Sequence, residues 1–166
     1  VCERPAFNRH FGTLRNLFGW LERQEEIERN PMDKVERRRL GERLPRPMDR
    51  DQVRAFFGRI DSLRDKALFS LLHGSGLRVS EALGLDIEEV SLGEGIFRVV
   101  GKGNRERVGY LAEDTVKLLR RYLRERGRPR QGPVFESRHD TRLSYSMAWR
   151  LFRKYAAGVE ENGQPL

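Results

Sequence analysis

Apolar residues recur at helical spacing from the start of the chain. Phe7, Phe11, Leu14, Phe18 and Leu21 lie at steps of four, three, four and three, one stripe of a helix running to about Arg23. Asn30-Pro31 closes this unit, because the residue before a proline is driven out of helical geometry. Residues 32–47 are dense in charge, poor in apolar side chains and hold Pro45 and Pro47, the pattern of a linker. A new helix opens at Met48-Asp49, with Asp49 as its N-cap and Val53, Phe56, Phe57 and Ile60 as its buried side. Leu63 to Leu72 predicts a second helix with apolar positions 63, 67, 68, 71 and 72. Gly74-Ser75-Gly76 breaks it, and Leu77 to Leu85 restarts as a short helix.

The period then changes. Ile96 to Val100 and Arg107 to Leu111 are rich in β-formers, with Gly101-Lys102-Gly103-Asn104 between them, which predicts a β-hairpin with a slightly enlarged loop. Val116, Leu119 and Leu123 mark a further helix closed by Gly127 and Pro129. Pro133-Val134-Phe135 suggests a short strand, and Tyr145, Ala148, Trp149, Phe152 and Ala156 form a last helical stripe before the tail from Gly158. No internal repeat is visible. The pattern gives an α+β fold, mostly helical with one small sheet, following a helical fragment.

Composition narrows the class. Leu, Ile, Val and Phe make up about 27% of the 166 residues, above the roughly 20% below which highly charged chains stay disordered. The longest mostly apolar stretch, about Ala67 to Leu72 with Ser70 inside it, is far short of the ~20 residues of a membrane span. Cys2 has no second cysteine to pair with, and no Cys/His cluster offers a structural zinc site. With no signal-like segment at the N-terminus, the expected location is the cytoplasm. The chain begins at Val1, as a fragment would. Its net charge of +8 is uneven: +3 over residues 1–46, −3 over 47–96, +10 over 97–157 and −2 over 158–166. A basic second half suits a polyanion such as nucleic acid, and equally suits a solvated cationic surface.

Two segments go beyond core patterning. In Gly74-Ser75-Gly76-Leu77-Arg78-Val79-Ser80-Glu81, glycines permit close backbone approach, a helix start favours anions, and a guanidinium binds phosphate through two parallel donors. Glu81, three residues after Arg78, shares its helical face and can hold it, whether as support for a site or as a plain surface ion pair. In Val100-Gly101-Lys102-Gly103-Asn104-Arg105-Glu106-Arg107 the glycine spacing is not that of a P-loop. Lys102 at a hairpin tip can reach into a groove and donate a proton; otherwise this is a turn that happens to be cationic.

Together these segments resemble the tyrosine recombinase (phage integrase) superfamily. The matching text is Arg64-Asp65-Lys66-Ala67-Leu68 leading into Gly76-Leu77-Arg78-Val79-Ser80-Glu81-Ala82-Leu83, then Gly101-Lys102-Gly103-Asn104-Arg105-Glu106-Arg107, with 24 residues from Arg78 to Lys102. The resemblance covers nearly the whole chain. It implies that residues 1–31 are the end of a helical core-binding domain, 32–47 a linker, and 48–166 the first two-thirds or so of a catalytic domain. Arg78 would neutralise the scissile phosphate, Glu81 would support Arg78, and Lys102 would protonate the leaving 5′ oxygen. The cations expected to contact DNA are Arg105 and Arg107 on the hairpin and Arg9 and Arg15 on the first helix. The implied partner is duplex DNA held by both domains, with copies assembling on DNA in the full-length protein. Neither metal nor other cofactor is expected, because in the family a tyrosine attacks the phosphate and forms a 3′-phosphotyrosyl link.

The family's second motif, His-x-x-Arg at a helix start, and the later tyrosine are expected beyond Gln164-Pro165-Leu166. His139-Asp140-Thr141-Arg142 has that spacing but precedes the Tyr145 to Ala156 helix, whereas the family places the motif after it. Tyr110, Tyr122, Tyr145 and Tyr155 come too early to be the nucleophile, so these residues alone are expected to be inactive. The alternatives are a recombinase-derived DNA-binding module without chemistry and, more remotely, a protein-interaction domain with no salt-dependent DNA affinity.

Overall fold

Helix α1 spans Arg4–Arg23 in the computed structural model, which describes residues 4–37, 47–101, 105–161 and 164–165. Lys102 and residues 38–46 of the expected linker lie outside the described residues. The chain forms two compact units, Val1–Pro47 and Met48–Leu166.

In the first unit Phe11 and Asn30 are the fully buried residues among those described. Asn30 does more than end a segment. Its side-chain amide donates to the carbonyl of Arg15 at 3.2 Å, its Oδ1 accepts the Met32 N–H at 2.9 Å, and its own N–H donates to Glu22 at 3.1 Å. The chain therefore folds back on α1 and makes a 3-10 turn, Pro31–Lys34, where the sequence suggests a linker. Leu14, expected in the buried stripe, is exposed, as are Leu17 and Trp20.

The second unit begins with α2, Arg50–Gly58. Asp49 caps it, accepting the N–H groups of Asp51 and Gln52, while the Gln52 side chain accepts the Asp49 N–H. Helix α3, Leu63–Ser75, runs one turn past Leu72 and stops at Gly76, whose φ of 65° is open to glycine at little cost. Helix α4, Val79–Gly84, follows. Strands β1 (Val90–Ser91), β2 (Ile96–Gly101) and β3 (Arg105–Tyr110) form one antiparallel sheet in chain order. The two expected strands are present and β1 adds a third. Helices α5 (Glu113–Glu125) and α6 (Tyr145–Ala156) complete the unit, with a short pair β4 (Glu160–Glu161) and β5 (Gln164–Pro165) in the tail.

The expected strand at Pro133-Val134-Phe135 is absent as a ladder. Only isolated bridges form there, Asp86 with Pro133 and Glu136 with Arg142, while Val134 and Phe135 point into the core. That core gathers Leu68, Leu71, Leu83, Phe97, Leu119 and Phe135 from α3, α4, the sheet, α5 and the 133–136 segment. A second cluster joins α2, α3 and α6 through Phe56, Phe69 and Tyr155, with Phe56 and Phe69 edge to face at 5.1 Å. Beside it lies an apolar groove of about 400 Å³ lined by Phe57, Leu72, Val79, Tyr145, Trp149 and Phe152, which leaves Tyr145 and Trp149 of the last stripe exposed.

Candidate phosphate-binding site

Gly76 turns the chain out of α3, buried Leu77 anchors the bend, and Arg78 sits in extended geometry at the N-cap of α4. Its side chain is 75% exposed. Glu81 grips Arg78 twice: Oε2 accepts its backbone N–H at 2.8 Å and Oε1 accepts Nη1 at 3.1 Å. The same Oε2 accepts Nη2 of Arg107 at 2.8 Å, across from β3. Glu81 itself is 11% exposed. The Arg78 backbone N–H, then the two guanidinium groups, hold its carboxyl below the ordinary value, against the opposing effect of burial. Two guanidinium groups share one carboxylate, so the cluster keeps a net positive charge and presents an exposed two-donor fork. With only six residues, α4 adds little field of its own, so the guanidinium carries the attraction for an anion.

Strands β2 and β3 are in register from Ile96↔Tyr110 to Gly101↔Arg105. Lys102 belongs to the three residues between that last pair and lies outside the described residues, as does the side chain of Arg105. Arg9 and Arg15 are exposed on α1; Arg15 pairs with Asp33 at 3.4 Å and lies over the Phe11 ring. His139 stands in an exposed loop. Arg142 is committed elsewhere: Nη1 donates to the carbonyls of Leu83, Gly84 and Leu85, and Nη2 pairs with Asp86 at 2.6 Å. Neither this clamp nor the Arg107–Glu81 pair was read from the sequence; both depend on contacts 26 to 59 residues apart. Among the described residues no group of three or more His, Cys, Asp or Glu is placed to hold a metal ion, and no helix is long and apolar enough to cross a membrane.

Residues 46–165 match the phage integrase family. The chain belongs to that family. Among integrase-family relatives, the tyrosine recombinase XerD of Yersinia pestis is 35% identical over 165 residues, covering 92% of this chain and 55% of that protein. XerD of Lacticaseibacillus casei is 31% identical over 173 residues, covering 96% of this chain and 59% of its own length. The chain thus spans about half the length of the curated relatives it matches. The crystal structure of XerA recombinase superposes with a TM-score of 0.64 at 27% identity, over 72% of this chain and 46% of that one. XerH recombinase bound to its palindromic difH substrate gives 0.67 at 22% identity, over 97% of this chain and 51% of that one, a likeness of fold. The mostly helical fold with a small antiparallel sheet is accordingly that of the integrase family.

Proposed function

We propose that these residues form part of a site-specific DNA recombinase that cleaves and rejoins duplex DNA through a 3′-phosphotyrosyl intermediate. The observation that carries this reading is the exposed Arg78 guanidinium, fixed at its base by the largely buried Glu81. A guanidinium held in this way meets a phosphate without first ordering its own side chain, and its donors suit the charge that builds on phosphoryl oxygens during displacement. In this reading Lys102 protonates the leaving 5′ oxygen, which an alkoxide departure requires. The tyrosine that attacks, and a second arginine, come from outside the 166 residues. Residues 1–31 are the end of a helical core-binding domain joined by residues 32–47 to a catalytic domain from residue 48. Arg9, Arg15 and Arg105 add phosphate contacts, and copies of the full-length protein assemble on the DNA. The relatives support this: XerD is a tyrosine recombinase and XerA a recombinase.

Titration of labelled duplex at several salt concentrations tests the reading. With about five phosphates neutralised, the log–log slope is roughly −4 to −5, at about 0.9 per phosphate, and Arg78→Ala lowers it by about one contact. Sequence preference is slight, since phosphate contacts carry little sequence information. A flat salt response overturns the reading in favour of a protein-interaction domain.

A further inference from the structure

Arg107 reads in the sequence as a cation for DNA, and its place in the sheet also brings its half-exposed side chain onto Glu81. Arg107 pairs with Val99 and Gly109 with Phe97, and both Val99 and Phe97 are buried. Successive residues of a strand point to opposite faces, so Arg107 and Gly109 share the face that covers the core, while Val108 and Tyr110 stand exposed on the other. On the core face Arg107 ends on Glu81, where its Nη2 and the Arg78 N–H both lie 2.8 Å from Oε2. One carboxylate thereby joins two separate elements: the bend that presents Arg78 and the return strand of the hairpin whose loop holds Lys102.

We propose that Arg107 is a positioning residue: through Glu81 it fixes strand β3 against the bend that carries Arg78, and so holds the Arg78 guanidinium in place for a phosphate. The reference to a phosphate rests on the recombinase reading; the tie between the three side chains does not. A carboxylate shared in this way couples its two partners, because displacing either guanidinium changes the field and the hydrogen bonds felt by the other. Arg suits the role better than Lys, since its planar fork keeps one orientation with less loss of side-chain freedom.

The test uses the 166-residue chain with Arg107→Ala, Arg107→Lys, Glu81→Gln and the double variant Glu81→Gln/Arg107→Ala. In the DNA-free protein, Arg107→Ala is expected to speed amide exchange along β2 and β3 and to shift the Nε–H resonance of Arg78. Duplex affinity should fall by about two- to fivefold, as for a partly exposed charge pair, with a salt slope reduced by much less than the ~0.9 of a phosphate contact. In the Glu81→Gln background the same substitution should change affinity by less than about twofold, because the tie is already broken. Arg107→Lys should recover only part of the affinity, and thermal unfolding of each variant shows that the fold is kept. Full and additive loss in the double variant, with about 0.9 removed from the slope, would make Arg107 a phosphate contact and overturn the proposal. An unmoved Arg78 resonance would overturn it as well. If the parent chain shows no salt-dependent DNA affinity while the resonance shift and exchange changes occur, the recombinase reading fails and the Arg107–Glu81–Arg78 tie stands.

Discussion

The carboxylate of Asp65, buried at the first turn of α3, has both oxygens in use. Oδ1 takes Nε and Nη2 of Arg64, each at 2.7 Å, and Oδ2 takes the hydroxyl of Tyr155 from α6 at 2.8 Å. A buried charge is tolerated when its oxygens are paired in this way, and removing it strands its partners. Asp65→Ala should therefore lower unfolding stability by about 2–4 kcal/mol, and Tyr155→Phe, which removes one donor, by about 1–2 kcal/mol, both measured by urea titration. Burial, then the bond to Asp65 and nearby negative charge, pushes the Tyr155 hydroxyl up to about 12. Its ordinary value is near 10, so the stabilising difference is complete below pH 10. It is lost as pH rises towards 12, because the unfolded chain releases a proton that the native state keeps. Stability measured at pH 9 and pH 11 should fall between the two, and in Tyr155→Phe the fall should be smaller. An equal fall in the variant would assign the alkaline loss to other groups.

At the scale of elements, α4 is too short to hold itself, since one and a half turns barely repay helix nucleation. It is pinned at its start by Glu81 on the Arg78 N–H and beyond its end by Arg142, whose guanidinium takes carbonyls that no helical N–H can reach. Arg142→Ala should cost about 1–3 kcal/mol in thermal unfolding and speed amide exchange at Ala82 to Leu85, with Arg142→Lys recovering part of the loss. Unchanged stability would mean that the clamp is idle. The limits of sequence reading fall along the same line. Helices α2, α3, α5 and α6 were legible because each carries its own apolar positions and a local start or stop signal, as Asp49 before α2, Gly76 after α3 and Gly127 after α5 show. Strand β1 was not legible because it is two residues long and pairs only with the start of β2, and the 133–136 segment was not because tertiary bonds hold it: Val134 N–H to the Leu85 carbonyl and Leu143 N–H to the Phe135 carbonyl. The hairpin was visible, its register was not. Nothing local shows that Gly109 must lack a side chain because the Phe97 ring occupies that space.

For the molecule as a whole, the Arg78–Glu81 pair was legible from a three-residue spacing on one helical face, whereas the third member, Arg107, required the sheet register. The four tyrosines separate just as clearly once placed. Tyr155 is given to Asp65, and Tyr122 is buried, accepts the Glu136 N–H, and is pushed up by burial. Such hydroxyls are poor nucleophiles, since attack on phosphorus requires release of the phenolic proton. Tyr110 lies on the sheet face away from Arg107, and Tyr145 lines the apolar groove beside Trp149. No hydrogen bond joins either of them to Arg78, Glu81 or Arg107 among the described residues. A well-placed cationic donor is worth ~3–4 kcal/mol to a transition state, a factor of 10² to 10³, but it multiplies nothing when the bond-forming group is absent. In the recombinase reading proposed above, the 166-residue chain should bind a nicked suicide duplex and leave no covalent protein–DNA adduct after denaturing electrophoresis. A longer chain that supplies the tyrosine should leave that adduct, and Arg78→Ala in it should reduce the yield at least a hundredfold. A covalent adduct from the short chain would require Tyr110 or Tyr145 to reach the phosphate, and would move the site away from Arg78 and Glu81.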